Sequence, residues 1–375
     1  MKTFLDFSLT TGIIITSIIL FVLLKQKNKS QAKKVLLSIF ILIFLEFVFS
    51  YSYLNKIVVL ILTTYILETS IVVLIGPLLF LYVKAITKNS KLIFKENLVH
   101  FIFPFIFICV ISIPGFIDLV NKSYSFKYLQ ILDPIVSFSI LYSLFYILYS
   151  LKILKRFSRL VKHSYSNLNN KDLKWIEYFL KGTILIISID IITTSYELLL
   201  GELDWNIGYL TIIPIVFLIA YLGYYGISQT KVLLPNFLLT ELNKGQTSEI
   251  KKKQIEYDKS EMNALEVALK KLMSDEKPYL TENLTLRYLA ELLSTSDKKL
   301  SLLLNQHMNI SFYDYINSYR VNEVKRMIDN NISETYTLLA IAYDCGFNSK
   351  TSFNRIFKKI TGLSPSAYKK QLKPI

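Results

Sequence analysis

The stretch SKTSFNRIFKK, residues 349–359, sets Lys350, Thr351, Asn354, Arg355 and Lys358 at the spacing of one helix face. These are types suited to a DNA groove: Asn pairs bidentately with adenine, Arg with guanine, and Lys with guanine or a phosphate. A different chemistry is raised by acids inside apolar stretches, Glu46, Glu68, Asp190 and Glu197, because a charge is costly to bury in lipid. Glu46 and Asp190 are candidates for an intramembrane signal or proton site, and a satisfied interhelical hydrogen bond is the competing reading. For Glu68 and Glu197 a place near the interface is preferred.

Catalytic patterns are missing. There is no HExxH, no GxxxxGK[ST] loop and no recognisably spaced Ser/His/Asp set, and the histidines are His100, His163 and His307. Cys109 and Cys345 lie one in an apolar run and one in a helical turn, which supports neither a disulfide framework nor a thiolate metal site. The expectation is a protein that is not an enzyme and carries no cofactor or metal.

Two helical hairpins position the polar faces. Leu286, Leu289, Ala290 and Leu293 recur at helical spacing, a turn follows at 294–296, and Ser296 can cap a second helix whose Leu300, Leu303 and Leu304 return to the core. Leu338, Leu339, Ile341, Ala342 and Tyr343 repeat the pattern. Gly346 supplies the backbone angle that ends that helix, Asn348 or Ser349 caps the next, and Phe353, Ile356 and Phe357 point inward. Between the copies the spacing predicts a long amphipathic helix from about Phe312 to Ile328, able to hold two reading heads roughly 34 Å, one DNA turn, apart.

The preceding sequence is written for a bilayer. With 375 residues, 52% hydrophobic, the chain has apolar stretches at 8–24, 35–54, 68–86, 98–117, 131–151, 176–199 and 206–226, each about long enough to span. Residues 57–67 are also apolar and either extend the third span or form a re-entrant piece. Net charge is +15, with an excess of +9 over residues 1–230, zero over 231–276 and +6 over 277–375. Lysines and arginines fill the odd loops: Lys25 to Lys34, Lys84 to Lys95, and Lys152 to Lys174. The even loops are nearly bare, which places the amino terminus outside and everything after Tyr225 in the cytoplasm. The linker, 231–276, carries Pro235, Gly245 and the run Lys251 to Lys253, which suits anionic headgroups or plain solvent, and ends in a short predicted helix over Glu261 to Met273.

The second hairpin, with Cys345-Gly346-Phe347, Ser349, Phe353, Arg355, Phe357-Lys358-Lys359, Gly362, Pro365 and Tyr368, resembles the second helix-turn-helix signature of AraC/XylS-type transcriptional regulators. Leu289-Ala290-Glu291-Leu292-Leu293 and the Tyr-x-x-x-x-Arg-Val of Tyr315 to Val321 are similar to the first helix-turn-helix and the linking helix of that family. The resemblance covers about 277–372. Seven spans ahead of such a domain look like the family's membrane-bound bacterial members, and GPLLFLYVK at 76–84 resembles their third span.

That resemblance implies an all-α protein: a seven-helix transmembrane bundle, 1–230, the linker, and an AraC-type domain, 277–375. It implies double-stranded DNA as partner, often bound by a dimer, and a multi-pass place in the bacterial cytoplasmic membrane. Carried over from the family, Lys298, Lys299, Ser301 and Asn305 in the first recognition helix, and Ser349, Lys350, Thr351, Asn354 and Arg355 in the second, are the expected DNA contacts. Lys358, Lys359, Lys369 and Lys370 read as phosphate contacts or solvated charge. Leu302 departs from the family pattern, which weights reading toward the second head. A small-molecule, lipid or envelope signal acting on the bundle is the expected control. A transporter or channel with a regulatory tail, or a bundle that only anchors, are the alternatives.

Overall fold

In the computed structural model the described residues are 2–27, 29–87, 92–121, 126–168, 173–200, 209–229, 238, 258–330 and 335–372. Side chains of 126–137 and of several positions between 190 and 210, Asp190 and Glu197 among them, fall outside that description, as do the sixth loop, 201–208, and Lys251 to Lys253. The chain divides into two compact units: 1–155 with 173–232, and 156–172 with 233–375. Residues 156–172, which follow the membrane half's fifth predicted span, cluster with the carboxy-terminal unit.

In the first unit α1 (Lys2–Lys25), α2 (Gln31–Leu54) and α3 (Val58–Thr87) pack side by side, with α2 against both neighbours. The doubtful stretch 57–67 extends α3, since helix begins at Val58 and continues through Pro77. A 3-10 turn, Lys95–Phe101, leads into α4 (Ile102–Phe107), a π turn (Ile108–Ser112) and α5 (Ile113–Asn121). Then come α6 (Phe126–Lys162), α7 (Lys174–Leu200) and α8 (Tyr209–Ser228), the last packing on α1 and α7. Gly76 makes a close crossing possible: a Cβ there would lie 2.7 Å from the Ser143 Cα of α6, and the Ser143 hydroxyl donates to the Val72 carbonyl.

Among the described residues six helices are long and apolar enough to cross a membrane: Lys2–Lys25, Gln31–Leu54, Val58–Thr87, Lys95–Asn121, Phe138–Lys162 and Thr211–Ser228. The sixth of the seven predicted spans, 176–199, falls within α7, which is helical over 27 residues. Large apolar side chains face outward, with Phe7 71%, Leu199 79% and Phe217 73% exposed. A water-facing surface would rarely carry so many.

The second unit contains α9 (Lys259–Asp275), α10 (Leu286–Leu292), α11 (Asp297–Leu302) continued by a π turn (Leu303–His307), α12 (Phe312–Asp329), α13 (Leu338–Asp344), α14 (Lys350–Thr361) and α15 (Pro365–Leu372). The predicted short helix is α9, and it buries Met262, Leu269, Leu272 and Met273 against Leu286, Leu289, Leu300 and Leu304. Each such side chain contributes about 1.5–3 kcal/mol of burial. Hydroxyls cap the helix starts: Thr285, Ser296, Ser311, Thr337 and Ser349 each accept a backbone N–H of the first turn. Caps of this kind are worth about 1 kcal/mol apiece and explain why short helices begin where they do.

Candidate nucleic-acid interface

The second helical pair, α13 and α14, turns on Gly346. Its φ is +86°, and a Cβ there would come within 2.6 Å of the Tyr279 carbonyl oxygen and 2.8 Å of that of Leu280. Only glycine meets both demands. Of the two predicted caps Ser349 is the one that closes α14, its hydroxyl accepting the Ser352 N–H at 3.2 Å. Phe353, Ile356 and Phe357 are buried and fix the helix's rotation, so Lys350, Thr351, Asn354, Arg355 and Lys358 emerge on the exposed side together. Arg355 donates to the Tyr313 hydroxyl at 3.0 Å, an anchor that holds the guanidinium near one rotamer. Lys359 is paired with Asp314 at 2.8 Å, and Tyr368 stacks edge-on against Phe357.

The first pair, α10 and α11, is built alike but offers less. Ser296 caps α11, and Ser294 in the turn has φ +50°. Lys298 is exposed, whereas Lys299 is ion-paired with Glu261 of α9. Ser301, expected among the outward contacts, is buried: Leu300, Ser301, Leu303 and Leu304 fall at i, i+1, i+3 and i+4, which is the inward stripe. The Asn305 amide donates to the Ser301 hydroxyl at 3.0 Å. Leu302 is half-buried, so of the four predicted contacts here only Lys298 stands exposed, with Lys299 paired to Glu261.

Between the pairs runs α12, 18 residues and therefore about 27 Å long. Phe312, Tyr315, Ile316, Val324 and Ile328 are buried, while Tyr319 and Met327 are half-buried, so all seven predicted inward positions turn away from full exposure. Arg320, identified in the sequence only as part of a family string, is a buried cation that organises the domain. Its Nε donates to the Tyr279 carbonyl at 2.7 Å, and one terminal nitrogen donates to Thr281 O at 2.7 Å, Glu282 O at 3.2 Å and Ser166 Oγ at 3.3 Å. The ring of Phe347 lies 5.9 Å from the guanidinium carbon. Burial lowers its pKa to about 10, which leaves it charged at neutral pH. The signal was present: position 320 sits in the inward register of 312, 316 and 324. Its partners were not readable from spacing.

In the first unit Glu46 receives a bond from the Ser50 hydroxyl at 3.4 Å, while its other carboxylate oxygen is buried with no hydrogen-bond partner. The side chain of Asp190, the companion candidate, lies outside the described residues. Among the described residues no group of three His, Cys, Asp or Glu could hold a metal ion. Cys345 is buried, and burial raises its thiol to about 12, the state of a packing residue rather than a nucleophile.

Residues 289–371 match the family described as Helix-turn-helix domain. A Bacillus subtilis (strain 168) protein named "Uncharacterized HTH-type transcriptional regulator YobQ" is 29% identical over 136 residues, 36% of this chain and 54% of that protein. These findings support an AraC-type helix-turn-helix domain. The chain spans about half the length of the curated relative it matches. No solved structure matches it.

Proposed function

We propose that this protein is a membrane-embedded transcription regulator that binds double-stranded DNA through two helix-turn-helix heads. The observation that carries the DNA-binding reading is the exposed row Lys350, Thr351, Asn354, Arg355 and Lys358 on a helix rotated by three buried aromatic and aliphatic side chains. Lys298 and, after separation from Glu261, Lys299 supply the first head's contacts, mostly to phosphate. A helix of about 27 Å between the heads suits successive major grooves on one duplex face. Binding as a homodimer would place four heads on an operator.

Membrane embedding is supported by six long apolar helices and by the exposed apolar side chains of the first unit. Seven spans with an outside amino terminus remain our reading, since the lysine-rich odd loops then share the side of the DNA-binding domain. Signal sensing by the bundle, with Glu46 and Asp190 as the candidate polar site, belongs to the same proposal. Footprinting with the bilayer-embedded chain tests the reading: discrete protected segments are expected, and uniform cleavage at every protein concentration would refute it. Labelling of single cysteines introduced at residues 29 and 122 tests the topology, with the former reached only from the cytoplasmic side.

A further inference from the structure

The carboxy-terminal unit includes a piece of chain from far upstream. Where α6 ends at Lys162 the backbone turns, and residues 164–168 run beside the start of α10. Tyr165 and Thr285 form an antiparallel bridge, flanked by Ser166 N to Leu284 O at 3.3 Å and Leu286 N to Ser164 O at 3.0 Å. Side chains lock it: Ser166 Oγ donates to Leu284 O at 2.8 Å, Asn317 of α12 donates to Ser166 O at 3.1 Å, and Arg320 reaches Ser166 Oγ. Ser164, Ser166, Asn167 and Leu168 are all buried. Three polar residues buried here, with the backbone of 164 and 166 and the side chains of Ser166 and Asn167 hydrogen-bonded, are a fitted contact rather than a loop lying on a surface.

The segment also touches both reading heads. The His163 side chain lies beside that of Asn305, whose amide donates to the Ser301 hydroxyl, so this part of the first recognition element faces protein on two sides. At the other end Ser166, Asn167 and Leu168 line a small gap with Asn348 and Ser352, at the foot of α14. The two heads and α12 are therefore held by one strap, and that strap is covalently the continuation of α6, whose residues up to Lys155 belong to the first unit.

We infer that residues 163–168 are an intramolecular clasp that covers Asn305 of the first head and the foot of α14 and so weakens DNA binding, and that a movement of α6 releases it. The inference rests on the DNA-binding reading above. A signal acting on the bundle would shift the clasped and open states only to the extent that it favours one of them, and a coupling of the usual size changes affinity about 5- to 150-fold.

Because Tyr165 and Thr285 form the non-hydrogen-bonded pair of the bridge, their Cβ atoms stand at a separation that a disulfide can span. The test uses full-length Tyr165→Cys, Thr285→Cys protein in lipid nanodiscs, with Tyr165→Cys alone as control for Cys109, and a duplex selected from a random library by the reduced double variant. The oxidised form should bind that duplex about tenfold more weakly or worse, with recovery on reduction. A second variant, Ser166→Pro, removes the strap's N–H and hydroxyl donors and should bind more tightly than the parent. Equal or tighter binding by the oxidised form, or no gain in Ser166→Pro, overturns the clasp and leaves the DNA-binding reading standing. Failure of the disulfide to form overturns the pairing itself, and failure to select any duplex overturns the DNA-binding reading and the clasp with it.

Discussion

Replacing Arg320 by Met should destabilise the carboxy-terminal unit by about 2–4 kcal/mol. The apolar stem is kept, since Met fills nearly the same space, and what is lost is the guanidinium. The bond to Tyr279 O is fully buried, and an orphaned buried carbonyl costs about 1–3 kcal/mol. Thr281 and Glu282 are exposed residues, so water can replace the cation at their carbonyls and each bond adds only about 0.5–1 kcal/mol. The Ser166 hydroxyl also loses its donor, and removing a desolvated charge returns part of the loss, which is why the sum stays below the cost of four buried bonds. Hydrogen exchange of the α12 amides in the bilayer-embedded chain reads this directly, because those amides open with the unit. At about 1.4 kcal/mol per tenfold, protection should fall by roughly 30- to 1000-fold. A change of less than about fivefold would refute the view that Arg320 ties residues 279–282 to α12.

Gly346→Ala should cost at least about 2 kcal/mol and lower the melting midpoint, since the added methyl meets two carbonyl oxygens at a left-handed φ; unchanged melting would remove the turn from the explanation. Lys358→Ala should weaken binding to all duplexes alike and lower the slope of affinity against salt by about one, and an unchanged slope would reject a phosphate contact. His163 supplies a pH test. Burial pushes its pKa below the ordinary value, aided by Arg159 and Lys162 of α6 and opposed by Asn305 and by Asp314 of α12. The neutral ring is thus the one that fits the clasp, so clasping is fully present above about pH 6.5 and is lost as pH falls below it. DNA affinity of the full chain should rise over that range relative to a His163→Gln variant, and parallel curves would exclude the imidazole.

Local chemistry was legible in the sequence, and non-local pairing was not. Ser296 and Ser349 as caps, Gly346 as the turn, the inward stripe of α12 and the exposed row on α14 follow from spacing within a dozen residues. The burial of Ser301 was readable in principle from its place beside Leu300 and Leu304, but the carried-over family pattern set it outward. The ion pair of Lys299 with Glu261 and the four acceptors of Arg320 depend on segments brought together by the fold. The strap at 163–168 is the extreme case: the lysine-rich stretch from Lys152 reads as loop, whereas α6 continues to Lys162, and nothing in HSYSNL announces a bridge to Thr285.

The most direct measurement is genome-wide crosslinking of the tagged full-length protein in its own cells, set beside an Asn354→Ala, Arg355→Ala variant made at equal abundance in the membrane fraction. Discrete peaks sharing a sequence in the parent, and their loss in the variant at about 1–3 kcal/mol per bidentate contact, are the predicted result. A parent without peaks, or a variant with the parent's peaks at full height, would contradict sequence reading by the exposed face of α14.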